Sequence, residues 1–274
     1  MKKGLLIVIT TLFASSLQAQ NEGVTGARAY GLAGTSSLNS DLWSTNNNPA
    51  GLAFLKKWQA GISYENQFLL SELSNKTAAI TAPVANGSFG LSVNQFGYSS
   101  FNENRIGLSY GQQLGKNISM GIQLNYSSTQ IGAGYGQTSA LSGNIGLLAN
   151  INNELSLSAV VINPNRAKLA EFTDERLPTL LKLGLKYNFS KKVTVFTEVT
   201  KDIDYDANVK IAIEYKALDL VYFRAGYATY PAFSSFGFGL NLDKFKLDFA
   251  SGFHSNLGFS PQVSLSYSPS FSTP

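Results

Sequence analysis

Lys201-Asp-Ile-Asp-Tyr-Asp206 is the segment of this chain that comes nearest to metal chemistry. Asp202, Asp204 and Asp206 stand at the first, third and fifth places of a calcium loop. Ala207 occupies the place where such a loop needs glycine for its sharp turn, and Ile213 the place of the closing bidentate glutamate. The aspartates therefore read as solvated loop residues. His254, the single histidine, lies between Ser251 and Ser255, so a serine nucleophile is conceivable. No Gly-x-Ser-x-Gly elbow accompanies it and no orienting acid can be assigned. Gly132, Gly134 and Gly136 alternate without a following helix that could present amides to a phosphate, and read as turn residues. These residues predict no catalytic site, no metal and no cofactor: the chain does not read as an enzyme.

A larger set of charges has a pattern. Lys182, Lys186, Glu198, Lys210, Glu214 and Arg224 each occupy the polar side of an alternating segment, and Glu65, Arg105, Lys246 and Asp248 extend the set. Opposite charges on neighbouring strands would pair across a confined interior, because isolated charges there are costly. Such a ring either fills the interior as a structural network or lines a polar route for solute.

The elements that would carry these charges are strands. In Asn117-Ile-Ser-Met-Gly-Ile-Gln-Leu-Asn-Tyr126, Ile118, Met120, Ile122, Leu124 and Tyr126 share one face and Ser119, Gly121, Gln123 and Asn125 the other. Period two means a strand with one apolar face. Leu181, Leu183, Leu185 and Tyr187 alternate with Lys182, Gly184 and Lys186, and Phe245, Leu247 and Phe249 with Lys246 and Asp248. The pattern predicts charges on the inward face only. It recurs at 58–66, 76–83, 88–95, 104–112, 117–128, 139–149, 154–162, 180–189, 192–200, 208–216, 219–228, 235–242, 244–252 and 260–268. Fourteen strands of this kind predict an all-β fold, a 14-stranded antiparallel transmembrane β-barrel over 58–268. Soluble sandwiches alternate too, but seldom need so many consecutive long strands. An even count puts both termini on one side, expected to be periplasmic. Short turns, such as Ser190-Lys191 and Asp243, alternate with longer connections at 67–75, 96–103, 129–138, 163–179, 201–207, 229–234 and 253–259, expected to face outward.

Composition agrees with export to an outer membrane. Residues 1–19 combine Met-Lys-Lys, an apolar run to Phe13 and small polar residues to Ala19, the form of a secretory signal peptide and too short for a spanning anchor. Its removal would leave 19 basic against 17 acidic residues, close to neutral, so the pI of 9.1 is no argument for nucleic acid. There is no cysteine, hence no disulfide or thiolate metal site. Mean hydropathy is −0.01 and the apolar residues lie in alternation rather than in runs of helical spanning length.

Residues 20–57 do not alternate, yet Leu32, Leu38, Leu42, Trp43, Leu52, Phe54 and Leu55 need something to pack against. A plug folded into the barrel meets that need, with Asn48-Pro49-Ala50-Gly51 as its corner. Pro49 disfavours a helical Asn48, and Asn48 can bond nearby backbone. Residues 269–274 follow the last strand as a C-terminal tail, with Phe271 beyond Tyr267 as a second aromatic available to an assembly signal.

The stretch from Ala27 to Ala53 resembles the N-terminal segment of the outer-membrane long-chain fatty-acid transporter superfamily. The match falls on Ala27-Arg28, Gly31, Gly34, Asp41 and Asn48-Pro49-Ala50-Gly51. The nearest branch is the Bacteroidota PorV/PorQ-type barrels associated with type IX secretion. The resemblance implies fourteen strands and an N-terminal hatch containing Arg28, Asp41 and Trp43. With modest loops and a charge-filled lumen, the expected role is a non-enzymatic subunit of a larger outer-membrane assembly for protein secretion or surface-protein export. The expected partners are outer-membrane lipid and other outer-membrane or secretion-complex proteins, with no nucleic acid. The alternative is a passive channel or transporter for a hydrophobic, fatty-acid-like small molecule.

Overall fold

The computed structural model describes residues 24–132, 136–168 and 176–269. The signal peptide 1–19, Gly134, residues 169–175 of the 163–179 connection and Phe271 with most of the tail lie outside the described residues.

Fourteen strands pair in chain order: β1 (Gln59–Asn66), β2 (Ser74–Val84), β3 (Gly87–Tyr98), β4 (Phe101–Gln113), β5 (Ile118–Ile131), β6 (Gly136–Asn150), β7 (Leu155–Ile162), β8 (Leu180–Asn188), β9 (Val193–Asp202), β10 (Asn208–Lys216), β11 (Val221–Thr229), β12 (Ala232–Leu242), β13 (Phe245–His254) and β14 (Gly258–Tyr267). Every pairing is antiparallel, and β1 closes on β14 with Ile62 opposite Leu265. Closure leaves no sheet edge to satisfy, so strands alone can cross a membrane. No helix among the described residues is long and apolar enough to do so.

Alternation sorts the side chains as the period requires. Ile62, Leu91, Leu108, Leu124, Leu141, Ile211 and Phe223 stand on the outer wall, while Ser63, Ser92, Ser109, Gln123, Asn125 and Asn144 are buried inside. One lysine corrects the expectation that strand charges face only inward: Lys76 is exposed on the outward side near a strand end. Lys201, expected in the 201–207 connection, is also exposed and outward, because β9 runs on to Asp202. There a long aliphatic stem can carry its ammonium out of the apolar band. The Lys201 ammonium donates to the Tyr205 carbonyl.

The longer connections are also tighter than the sequence pattern suggests. The 96–103, 229–234 and 253–259 stretches are largely strand, closed by turns at 99–100, 230–231 and 255–257. Their residues lose apolar alternation, but the backbone ladder needs no apolar side chain once the wall rises above the lipid band.

Residues 24–55 lie within the barrel as two four-residue helices, Ala27–Tyr30 and Ser44–Asn47, and a 3-10 stretch, Pro49–Phe54. Leu32, Leu38 and Ala50 pack with the inward Leu148, Phe196 and Ala212, and Leu42 and Trp43 pack with Ala79. Such burial contributes about 1.5–3 kcal/mol for each large side chain removed from water. The wall makes room for this segment with glycine. A Cβ on Gly121 would collide with Pro49, and one on Gly146 with the Asn48 side chain.

Candidate solute-binding site

The luminal segment is fixed first by backbone needs. Turns and single-turn helices leave amides and carbonyls without intrahelical partners, and inward serines supply the bonds. Ser109 donates to the Thr45 carbonyl at 2.8 Å, Ser119 to Ala50 at 2.9 Å and Ser235 to Gly31 at 3.0 Å. The Asn48 amide nitrogen donates to the Ser37 carbonyl at 2.6 Å, and its amide oxygen accepts from Ala50 N at 3.0 Å. Pro49 opens the 3-10 stretch and Gly51 lies within it, close against the Asn39 backbone.

Two ion clusters then tie the segment to the wall. Arg28 donates to both oxygens of Glu214 at 2.9 Å, and its remaining terminal nitrogen reaches Asn39 at 3.1 Å and Asp41 at 3.3 Å. Arg224 donates to the same Glu214 at 2.6 Å and to Asp248 at 2.7 Å. Farther along the lumen, buried Glu198 accepts from Ser36 N at 3.0 Å and from Ser37 N at 2.9 Å. It also accepts from the Ser37 hydroxyl at 2.6 Å, with Lys210 at 3.5 Å and Lys182 close by. Sequence alternation finds the charged members of both clusters. It does not find the Ser36 and Ser37 amides, which carry no signal in residue type.

Six of the ten charges that alternation places inward fall into these two clusters, and Glu65, Arg105, Lys186 and Lys246 lie outside them. Lys186 lies near Arg28 and Glu214 without an ion pair to either. Lys246 is exposed at the barrel mouth. Arg105 has Glu103 as its charged neighbour. Glu65 is buried but joins neither. Pairing follows local reach: Glu198 faces Lys210 and Glu214 faces Arg224 across adjacent strands, and Arg224 reaches past Gly239 of β12 to Asp248.

The segment leaves a cavity on each of its sides. One, of about 280 Å³, opens at the mouth where the chain enters and leaves the barrel, and is polar, lined by Arg28, Asp41, Glu214, Arg224, Lys246 and Asp248. The other, of about 130 Å³, lies toward the opposite mouth, between the segment and strands β1, β10 and β12–β14. Its walls are mostly apolar: Val24, Tyr30, Ala33, Phe68, Pro231 and Phe233. Tyr30 stacks on Phe233 with ring centres 6.1 Å apart, and Phe68 meets the His254 ring edge-on at 6.4 Å. His254 ends β13 rather than lying in a loop, and its Nδ1 accepts from Asn256 N at 3.2 Å and Leu257 N at 3.3 Å. Glu65, Gln67, Asn208, Lys210, His254 and Ser260 add polar groups to this largely apolar surface, so the chamber is small but has the mixed lining of a solute site. Among the described residues no cluster of three or more histidines, cysteines or carboxylates could hold a metal.

Neither a protein-family model nor a curated protein sequence matches the chain. Solved structures do match. The Pseudomonas putida toluene transporter TodX aligns with a TM-score of 0.69 at 14% identity over 90% of this chain and 98% of its own. The Ralstonia pickettii toluene transporter TbuX gives 0.65 at 14% over 89% and 97%. A Pseudomonas aeruginosa FadL homologue gives 0.62 at 15% over 89% and 98%. Across nine-tenths of its length the chain thus has the fold of these outer-membrane barrels, a closed fourteen-stranded wall preceded by an N-terminal region.

Proposed function

We propose that the protein is a non-enzymatic outer-membrane channel for small hydrophobic molecules. In this reading the 130 Å³ chamber is its binding station and residues 20–57 are a plug. The observation that carries the reading is the chamber itself, apolar on its walls and floored by the luminal segment, with a polar cavity on the segment's other side. A hydrophobic solute would lose water in the first compartment and would have to pass the segment to reach the second. The termini and the polar cavity face the periplasm in this reading, and the chamber faces outward.

The named substrates of the fold neighbours, toluene for TodX and TbuX, support transport over the secretion-assembly role expected from residues 27–53. The PorV/PorQ likeness rests on that stretch alone, and no contact in the barrel adds to it. Producing the protein in a host with a tight outer membrane, and following entry of labelled toluene, tests the channel. Entry should rise several-fold over cells with an empty vector. Equal rates at equal barrel abundance would refute the transport reading. Recovery of a constant set of secretion proteins in mild detergent would favour the assembly role instead.

A further inference from the structure

Glu65 places a buried carboxyl group in the wall of the apolar chamber. It lies on the inward face of β1, 4% exposed, opposite Gln262 on β14 and Asn75 on β2, and it lines the chamber beside Tyr30. Asn75 and Gln67 hydrogen-bond to it. The other carboxylates that hold the lumen together each face a cation: Glu198 has Lys210, Glu214 has Arg28 and Arg224, and Asp248 has Arg224. Glu65 has no lysine, arginine or histidine nitrogen within 4.0 Å among the described residues.

A carboxylate withdrawn from water without a countercharge is costly, and a cation delivered by a ligand would offset that cost. The other groups around the chamber fit a cation better than an anion. Tyr30, Phe68 and Phe233 supply aromatic surfaces, whose negative faces attract ammonium groups. Lys210, on the opposite wall, is already engaged by Glu198 at 3.5 Å. Volume sets the body of the ligand: a dry cavity of about 150 Å³ accepts benzene, so about 130 Å³ suits one ring and not a long acyl chain.

We propose that this chamber selects a compact organic amine, with a ring-sized apolar body against Tyr30, Phe68 and Phe233 and its ammonium group set against Glu65. The proposal rests on the chamber being the solute site, and it narrows the solute to a class that the apolar walls alone would not choose. A fatty acid would bring a second carboxylate to Glu65, and a bare hydrocarbon would fit the walls but make no use of Glu65.

Benzylamine, benzyl alcohol and benzoate share one body and differ in the head group. Titration calorimetry of the full-length, detergent-solubilised protein at neutral pH, with empty micelles as the blank, compares them directly. Benzylamine should bind at least about tenfold tighter than benzyl alcohol, and benzoate more weakly than either. Glu65→Gln should bring benzylamine and benzyl alcohol to within about twofold of one another, with the alcohol's affinity unchanged. Glu65→Asp should keep the preference for the amine. Heat-dependent electrophoretic mobility verifies that each variant is a folded barrel. Should Glu65→Gln fail that control, wild type and Glu65→Asp decide alone. Benzyl alcohol binding as tightly as benzylamine to the wild type, or a preference that survives in Glu65→Gln, overturns the amine assignment and leaves the solute site standing. Binding of none of the three overturns both.

Discussion

Arg28 and Glu214 meet in a two-point pair, with the guanidinium Nε and one terminal nitrogen each 2.9 Å from a carboxylate oxygen. The pair joins the luminal segment to β10, and Arg224 grips the same carboxylate from β11 at 2.6 Å. The planar fork of an arginine can make both bonds at once, which a lysine cannot. Arg28→Ala should therefore free the segment while Arg224 continues to hold Glu214. With hydrogen bonds to charged groups contributing about 1.5–3 kcal/mol each and Arg28 partly exposed, the expected loss is about 2 kcal/mol. Limited proteolysis in detergent reads it as faster cleavage within 24–55 at unchanged barrel mobility. Arg28→Lys should recover only part of the protection, and full recovery by lysine would show that charge alone suffices.

Trp43 should matter more than any charged residue at the entrance to β1. Its indole is 4% exposed and lies so close to Gly26 that a side chain there would strike the ring. Gly26 also has φ +92°, a conformation that other residues adopt only under strain. Trp43→Ala is expected to cost about 3–5 kcal/mol of segment packing, whereas Lys57→Ala, at an exposed position, should be close to neutral. Intact-mass analysis after brief proteolysis separates the two. Equal cleavage in both variants would mean that the indole is not an anchor.

Much of the barrel is legible in the sequence because period two is a property of every strand whose two faces meet different media. That rule alone places Lys182, Lys210 and Glu198 inward, where they are buried. The rule fails near a strand end at Lys76, which is exposed on the outward side. It is silent on tertiary pairing as well. Glu65 obeys the same alternation as Glu214, yet of the two only Glu214 has cations opposite. The chamber was not legible, since it is formed by residues as distant as Tyr30, Phe68, Phe233 and His254, whose proximity depends on how 24–55 lies across the closed wall.

Gly146 tests how closely segment and wall fit. The missing Cβ is the space taken by the Asn48 side chain, which bonds the Ser37 and Leu147 carbonyls. Gly146→Val changes no outward residue, and β6 tolerates valine as a strand former. The barrel should assemble while the Asn48 corner is displaced, exposing 44–55 to protease. Gly143→Val on the same strand, where an added Cβ meets only Gln123 O at 3.7 Å, should leave cleavage at the wild-type rate.

Glu198 is fully buried and answers three donors from Ser36 and Ser37 as well as Lys210. Glu198→Leu removes the anion and leaves those amides and the lysine facing apolar surface. Breaking a buried pair by deleting one partner typically costs about 3–5 kcal/mol. Glu198→Gln keeps one acceptor oxygen and should cost less. Urea titration of the folded barrel, followed by its unheated electrophoretic band, should rank wild type above glutamine above leucine. An unchanged midpoint for leucine would show that the cluster contributes nothing to stability.

Removal of the segment tests whether it is what closes the lumen. The wall is complete without it, because β1 pairs with β14 through ladder bonds that involve no residue before Gln59. The interior it vacates is lined by Ser92, Ser109, Gln123, Asn144, Lys182 and Glu198, side chains that water can solvate once Leu32, Leu42 and Trp43 are gone. Deleting residues 24–55 should therefore yield a heat-modifiable barrel with a steady single-channel conductance in planar bilayers, whereas the full-length protein stays nearly silent. Gly146→Val, which shifts the segment without removing it, should flicker between these states. A deleted form that folds and inserts but passes no current would show that the wall itself constricts the lumen, and that residues 24–55 are a structural filling rather than the gate.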